Sequence, residues 1–83
     1  MTDARTLLVT ERVIAPEGRA AYLASLAGVR ARCMAAGAQF WAFEQVAEPG
    51  RFLEFAEARQ AAVLDGLALD DAGSLRWRSV ELD

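Results

Sequence analysis

Two neighbouring segments, Gln39–Val46 (QFWAFEQV) and Arg51–Ala58 (RFLEFAEA), carry large apolar side chains on both of their alternating sets of positions. Strand side chains point to opposite faces in turn, so these segments can only build a sheet that is apolar on each side. Ala47-Glu48-Pro49-Gly50 between them is a turn signal. Together they read as a hairpin with a loop of about three residues, in which glycine supplies the unusual torsion. Pairing Ala47 with Arg51 sets Phe43 opposite Phe55, Gln45 opposite Leu53 and Ala42 opposite Ala56. One face then holds Trp41, Phe43, Leu53 and Phe55. The other holds Phe40, Ala42, Val46, Phe52 and Ala56, with Glu44 opposite Glu54. A slip of one residue flips a strand's side chains and sets Glu44 against Phe55, so the clean faces select the first register.

The flanking sequence completes the pattern. Thr6–Val13 (TLLVTERV) is rich in β-branched and aliphatic residues and reads as a strand. Pro16 suits the first turn of a helix, where its missing N–H costs nothing, and the helix is expected over Pro16–Ala36. Tyr22, Leu26, Val29 and Cys33 recur at spacings that stack them on one helical face. Leu23, Ala27 and Met34 widen that stripe, Arg19, Arg30 and Arg32 face water, and Gly37 is the C-terminal cap. A shorter helix is expected over Gln60–Leu69, with Val63, Leu64, Leu67 and Ala68 apolar and Gly66 weakening it by about 1 kcal/mol. Asp70–Gly73 is a loop, and Leu75–Leu82 (LRWRSVEL) is a fourth strand. The order β-α-β-β-α-β is that of a ferredoxin-like α+β domain, an antiparallel sheet with both helices on one face, spanning residues 1–83 as a single unit. Such a sheet needs only one apolar face. Phe40, Val46, Phe52 and Leu8 therefore need cover from elsewhere. A second copy of the sheet would supply it, so a homodimer through the face opposite the helices is expected.

Composition points the same way. An 83-residue chain has a thin core, and small domains often need a disulfide, a metal or a partner subunit. Cys33 is the single cysteine, and no ligand cluster for a structural zinc or other cofactor is visible. The net charge is −3 and all nine basic residues are arginines. An acidic domain is a poor ligand for nucleic acid, and no apolar run approaches the roughly 18 residues that span a bilayer. The segment Met1–Arg5 lacks the pattern of a signal peptide, so a reducing cytoplasm is the expected compartment. Histidine, the commonest metal and haem ligand, is absent, as are asparagine and lysine.

The segments TLLVTERVIAPEG, AQFWAFEQV, EPGRFLEFAEA and LRWRSVEL, taken over nearly the whole chain, resemble the dimeric α+β barrel superfamily, and within it the antibiotic biosynthesis monooxygenase type. The resemblance implies two sheets packed face to face with helices outside, and a ligand cleft between sheet and helices in each subunit. It implies oxidation of aromatic, polyketide-like compounds without metal or flavin, haem degradation, or no known activity. The quinone-forming members look to asparagine, tryptophan and tyrosine, and the haem-degrading members to asparagine, tryptophan and histidine. With asparagine and histidine missing, only the aromatic part carries over, onto Tyr22, Trp41 or Trp77, and haem degradation is disfavoured.

The candidate ligand site is therefore aromatic. Trp41, Phe43 and Phe55, facing Tyr22 from the first helix, would line a cleft for a flat compound, with Trp77 as a further contact; the competing reading is that they fill the core. Arg76 and Arg78, on the opposite face from Trp77, would clamp an anion or be ion-paired. Glu44 and Glu54 form the one paired-carboxylate candidate, either raised in pKa for acid–base work or neutralised by Arg12 or a partner's arginine. Cys33 reads as a small buried hydrophobe. The expected function is small-molecule binding, or a cofactor-independent monooxygenase-like reaction on an aromatic compound. The competing class is a non-enzymatic regulatory or interaction module, and a void of a few hundred Å³ beside Trp41 and Tyr22 separates the two.

Overall fold

The structure, a computed structural model, describes residues 4–82. Residues 1–3, part of the Met1–Arg5 segment read as lacking a signal-peptide pattern, and residue 83, the far end of the expected domain, lie outside the described residues. The chain runs β1 (Thr6–Val13), a 3-10 turn (Pro16–Gly18), α1 (Arg19–Ala35), β2 (Gln39–Glu44), β3 (Arg51–Ala58), α2 (Ala61–Leu67) and β4 (Ser74–Arg78). The strands form one antiparallel sheet in the order β2-β3-β1-β4. It is an α+β domain compatible with the ferredoxin-like arrangement, with β3 between β1 and β2, and β1 between β3 and β4. No described helix is long and apolar enough to cross a membrane.

Local chemistry sets the boundaries. Pro16 opens the 3-10 turn, and Gly18 passes directly into α1. Gly37 at φ +85° ends that helix. The Ala38 N–H donates to the Cys33 carbonyl and the Gly37 N–H to the Met34 carbonyl, a left-handed cap that satisfies the final carbonyls. The second helix is shorter than expected because Ala68 turns left-handed at φ 54°. β4 ends at Arg78 rather than Leu82, and β2 at Glu44 rather than Val46.

The hairpin register differs from the expected one by two residues. Trp41 faces Phe55, Phe43 faces Leu53, and Glu44 faces Phe52. The loop is longer than the turn motif suggests. Gln45 N–H donates to the Arg51 carbonyl, while Gly50, at φ +97°, accepts from the Ile14 N–H and donates to Glu44. A shift of two preserves alternation, so the two sets of side chains survive intact.

Their assignment is reversed. Leu8, Phe52, Ala56 and Ala58 lie under the helices, in or beside a core with Cys33, Leu64 and Leu67, and Phe40 packs against its edge. Trp41, Phe43, Leu53 and Phe55, expected to face Tyr22, occupy the face away from the helices. The helix side takes the alanines, which let backbone and helix approach closely. It also takes the two glutamates, because charged partners reach them there. Val46 belongs to neither face and is exposed in the loop. On α1 the stripe Tyr22, Leu26, Val29 and Cys33 faces inward, whereas Leu23, Ala27 and Met34 remain exposed. Arg19 and Arg32 do not simply face water: Arg19 pairs with Glu44, and Arg32 donates to the Leu67 carbonyl at 2.7 Å.

The face left open is broad. Trp41, Phe55, Val9 and Leu75 form one row across all four strands. Leu7 and Trp77 lie on one side of that row, and Phe43, Leu53 and Val13 on the other. Phe43 stands edge-on to Phe55 at 5.6 Å. Ion pairs mark both ends: Arg5 with Glu57 at 3.2 Å, and Arg51 with Glu48 at 3.2 Å.

Candidate functional site

Beneath α1 the sheet carries polar chemistry in an otherwise apolar layer. Glu54 sits mid-strand in β3, directly opposite Thr10 of β1 and Ala42 of β2. Glu54 is only 9% exposed and Thr10 only 3%. A buried carboxylate is tolerated only when it is hydrogen-bonded or paired. Glu54 is both: its Oε2 accepts from the Tyr22 hydroxyl at 2.6 Å and from Arg12 Nε at 2.8 Å. The same arginine reaches Asp71 Oδ2 at 2.8 Å. Asp71 in turn accepts from the Gly73 N–H at 2.9 Å and from Ser74, whose hydroxyl is 2.7 Å from that of Thr10. One chain of polar groups thus ties α1, β3, β1 and the loop before β4 together.

The electrostatics follow from this chain. Burial, and then the hydrogen bond to Glu54, hold the Tyr22 phenol well above its usual range, so it is a fixed donor. Desolvation of Arg12 is outweighed by its hydrogen bonds to Asp71 and Glu54, which raise it. The Gly73 N–H and then Arg12 hold Asp71 below the usual carboxylate range. Tyr22 is fixed on its other side by the Phe52 ring, 4.7 Å away and tilted.

Two voids flank Leu26. One, of about 330 Å³, lies between α1 and the sheet. Leu26, Val29 and Leu69 form its walls, and Tyr22, Glu54 and Arg12 its polar floor. The other is a shallower groove of about 530 Å³ along the outer edge of β2, between Arg30 and the aromatic strand residues Phe40, Trp41 and Phe43. The first carries the chemistry, since its floor is the hydrogen-bonded chain; the second is an open strip beside an edge strand.

Four of the five aromatics expected in one cleft are thereby separated from the fifth. Tyr22 is in the cleft. Trp41, Phe43, Phe55 and Trp77 share the opposite face of the sheet, and Trp77 lies across from Leu7 on β1. Glu44 and Glu54 do not pair. Glu44 accepts from Arg19 and from the Gly50 N–H, which together hold it below the usual carboxylate range, while Glu54 has Arg12. Arg76 is no free anion clamp: it grips Asp70 through two nitrogens, at 2.9 and 2.7 Å, and Asp65 at 2.8 Å. Cys33 is fully buried, and burial raises its thiol. The residues sequence reasoning left out of the ligand site are Glu54, Arg12 and Asp71. The legible signal was Glu54 itself, a charge set among Phe52, Ala56 and Ala58 on the side that proves to be buried.

Comparison with protein-family models, with curated proteins and with solved structures gave no match.

Proposed function

We propose that the chain is a small-molecule-binding protein of the dimeric α+β barrel kind, and that it takes an aromatic or polyketide-like compound between α1 and the sheet. The observation that carries this reading is the Tyr22–Glu54–Arg12 chain at the floor of a void of about 330 Å³. Ligand sites are typically apolar hollows with a few converging polar groups, on the order of 300–1,000 Å³, and this one meets that description. The second element of the reading is a homodimer through the open face. Phe43 at 60%, Leu75 at 65% and Trp77 at 56% exposed are costly to leave in water, and a twofold partner offers the same patch in return. In its enzymatic form the reading is a cofactor-independent monooxygenase-like reaction, in which the bound compound supplies its own electrons to dioxygen and the cleft holds it out of water.

Calorimetric titration with hydroxylated polycyclic aromatics, with an oxygen electrode run in parallel, tests the proposal. Saturable, stoichiometric binding supports it, and oxygen uptake that depends on the compound supports the enzymatic form. Absence of binding, together with a crystal structure whose cleft is filled by its own side chains, favours a regulatory or interaction module instead.

A further inference from the structure

The two edges of the sheet are built differently. β4 carries Arg76 and Arg78 on either side of Trp77, and Arg76 is fixed by Asp65 and Asp70. Charged side chains of this kind keep a further strand from pairing with an exposed edge. β2 has no such guard: between Gln39 and Glu44 it reads Phe40-Trp41-Ala42-Phe43, without charge or proline. Its pairing with β3 fixes which backbone groups are left over. The Gln45 N–H donates to the Arg51 carbonyl at 2.8 Å, and hydrogen-bonded pairs recur at every second residue of an antiparallel ladder. Phe43, Trp41 and Gln39 therefore bond to β3, opposite Leu53, Phe55 and Glu57. Phe40 and Ala42 turn their N–H and C=O groups outward, and β2 ends the strand order on that side. They open onto the groove of about 530 Å³, whose far wall is Leu26, Ala27 and Arg30 of α1. No acidic residue lines this groove. Among the described residues the ion pairs engage Arg5, Arg12, Arg19, Arg51 and Arg76, and not Arg30. Main-chain donors and acceptors on one wall and an unpaired cation on the other suit an extended chain, and the charge selects which. β2 of a second copy, paired about a twofold axis, would bring two such grooves together and set Arg30 against its own twin. An acidic strand pairs it instead.

We infer that the outer edge of β2 is a docking site for an extended segment of a partner protein, added to the sheet as a further strand, in which acidic residues alternate with aliphatic ones. Main-chain hydrogen bonds to Phe40 and Ala42 hold the segment, and its alternating side chains give specificity. One set points toward α1, where its carboxylates meet Arg30, and the other lies beside Trp41 and Phe43. The site needs neither a compound in the hollow under α1 nor a second copy on the open face.

Blocked peptides titrated into the chain test this: acetyl-TVEVEVT-amide, its lysine counterpart acetyl-TVKVKVT-amide, and two forms of the first that are N-methylated on the glutamates or on the valines. Affinity and amide hydrogen exchange are the readouts. Expected is slower exchange at the Phe40 and Ala42 amides with the glutamate peptide, which binds about tenfold tighter than the lysine peptide, an attraction exchanged for a repulsion. Arg30 is exposed on α1, and Arg30→Glu should reverse that order without disturbing the fold. Ala42→Pro removes an outward N–H at a position where an edge strand tolerates proline, and should abolish binding. Of the two N-methylated forms one should bind and the other fail, because only alternate N–H groups of an added strand face the sheet. Equal behaviour of those two forms, or an unchanged order of the peptides in Arg30→Glu, overturns the inference whether or not the Ala42→Pro chain folds. So does unchanged exchange at Phe40 and Ala42 with the glutamate peptide at about 1 mM, the weak limit of useful affinity. Protection of those amides that grows with protein concentration and needs no peptide assigns the edge to a second copy, and overturns it as well. The titration with aromatic compounds stands or falls separately from all of these results.

Discussion

Replacing Leu75 with lysine should separate the proposed dimer while leaving the subunit folded. Leu75 is 65% exposed at the end of the row Trp41–Phe55–Val9–Leu75. With aromatic side chains of about 150–250 Å² each, the open face exposes roughly 600–700 Å² of apolar side chain. A standard interface takes about 800 Å² from each partner, whereas the largest patch on a monomer is about 300–600 Å². Burying a leucine contributes about 1.5–3 kcal/mol, so losing the exposed two-thirds of Leu75 costs about 1–2 kcal/mol per copy. Twofold symmetry doubles this, and each lysine ammonium adds a desolvation cost at the interface. A total of at least about 4 kcal/mol weakens association roughly a thousandfold. The subunit itself should change by about 0.5 kcal/mol or less, because an exposed edge-strand position tolerates lysine. Sedimentation across a range of concentrations, with urea unfolding at the lowest of them, reads both quantities. A chain that sediments as a single copy even at about 100 μM, where a stable dimer should be saturated, refutes the reasoning. So does a Leu75→Lys dimer with unchanged dissociation.

Other outcomes follow from the hydrogen-bonded groups. A Cβ at Gly50 would sit 2.8 Å from the Ile14 carbonyl oxygen with φ at +97°, so Gly50→Ala should cost at least about 1–3 kcal/mol in urea unfolding, and a neutral result would mean that the loop relaxes freely. Glu44, Asp70 and Asp71 are all held below the usual carboxylate range. The unfolded chain therefore binds protons first, and stability should be full above about pH 5 and fall as acid is added through about pH 4 and below. Glu44→Gln should make that fall less steep, and a midpoint that rises on acidification would contradict the sign. The shift at Tyr22 has the opposite consequence. Its pKa, like that of the Cys33 thiol, is raised on folding, so stability should hold up to about pH 9 and decline above it. As the chain's one tyrosine, Tyr22 should show no tyrosinate absorbance there until unfolding begins, and Tyr22→Phe should lessen the alkaline decline, leaving the share due to Cys33.

Alternation in Gln39–Ala58 made the two sets of sheet side chains legible, and the spacing Tyr22, Leu26, Val29, Cys33 gave the inward face of α1. Which set faces the helices was not legible, because both are apolar. The choice rests on contacts distant in sequence, Tyr22 on Phe52 and Glu54, and Arg12 on Glu54. The exact hairpin register was hidden by the bonds of Gly50 to Ile14 and Glu44, which lengthen the loop beyond what its turn residues imply. Arg12 was visible as a partner for the glutamates. The cleft was not, since it depends on how far α1 stands from β3, and no local pattern records that distance.

The burial of Cys33 gives the protein an internal clock. The sulfur lies at the seam where α1 meets the sheet, with none of its surface in contact with solvent, and the thiol's reluctance to ionise further slows its attack on any reagent. Alkylation must wait for that helix to lift, so the rate of labelling at constant reagent measures how often the domain opens. A compound lodged against Val29, one helical turn away, should lengthen the wait in proportion to its occupancy, which turns one unreactive atom into a chemical readout of whether the hollow beside it is filled.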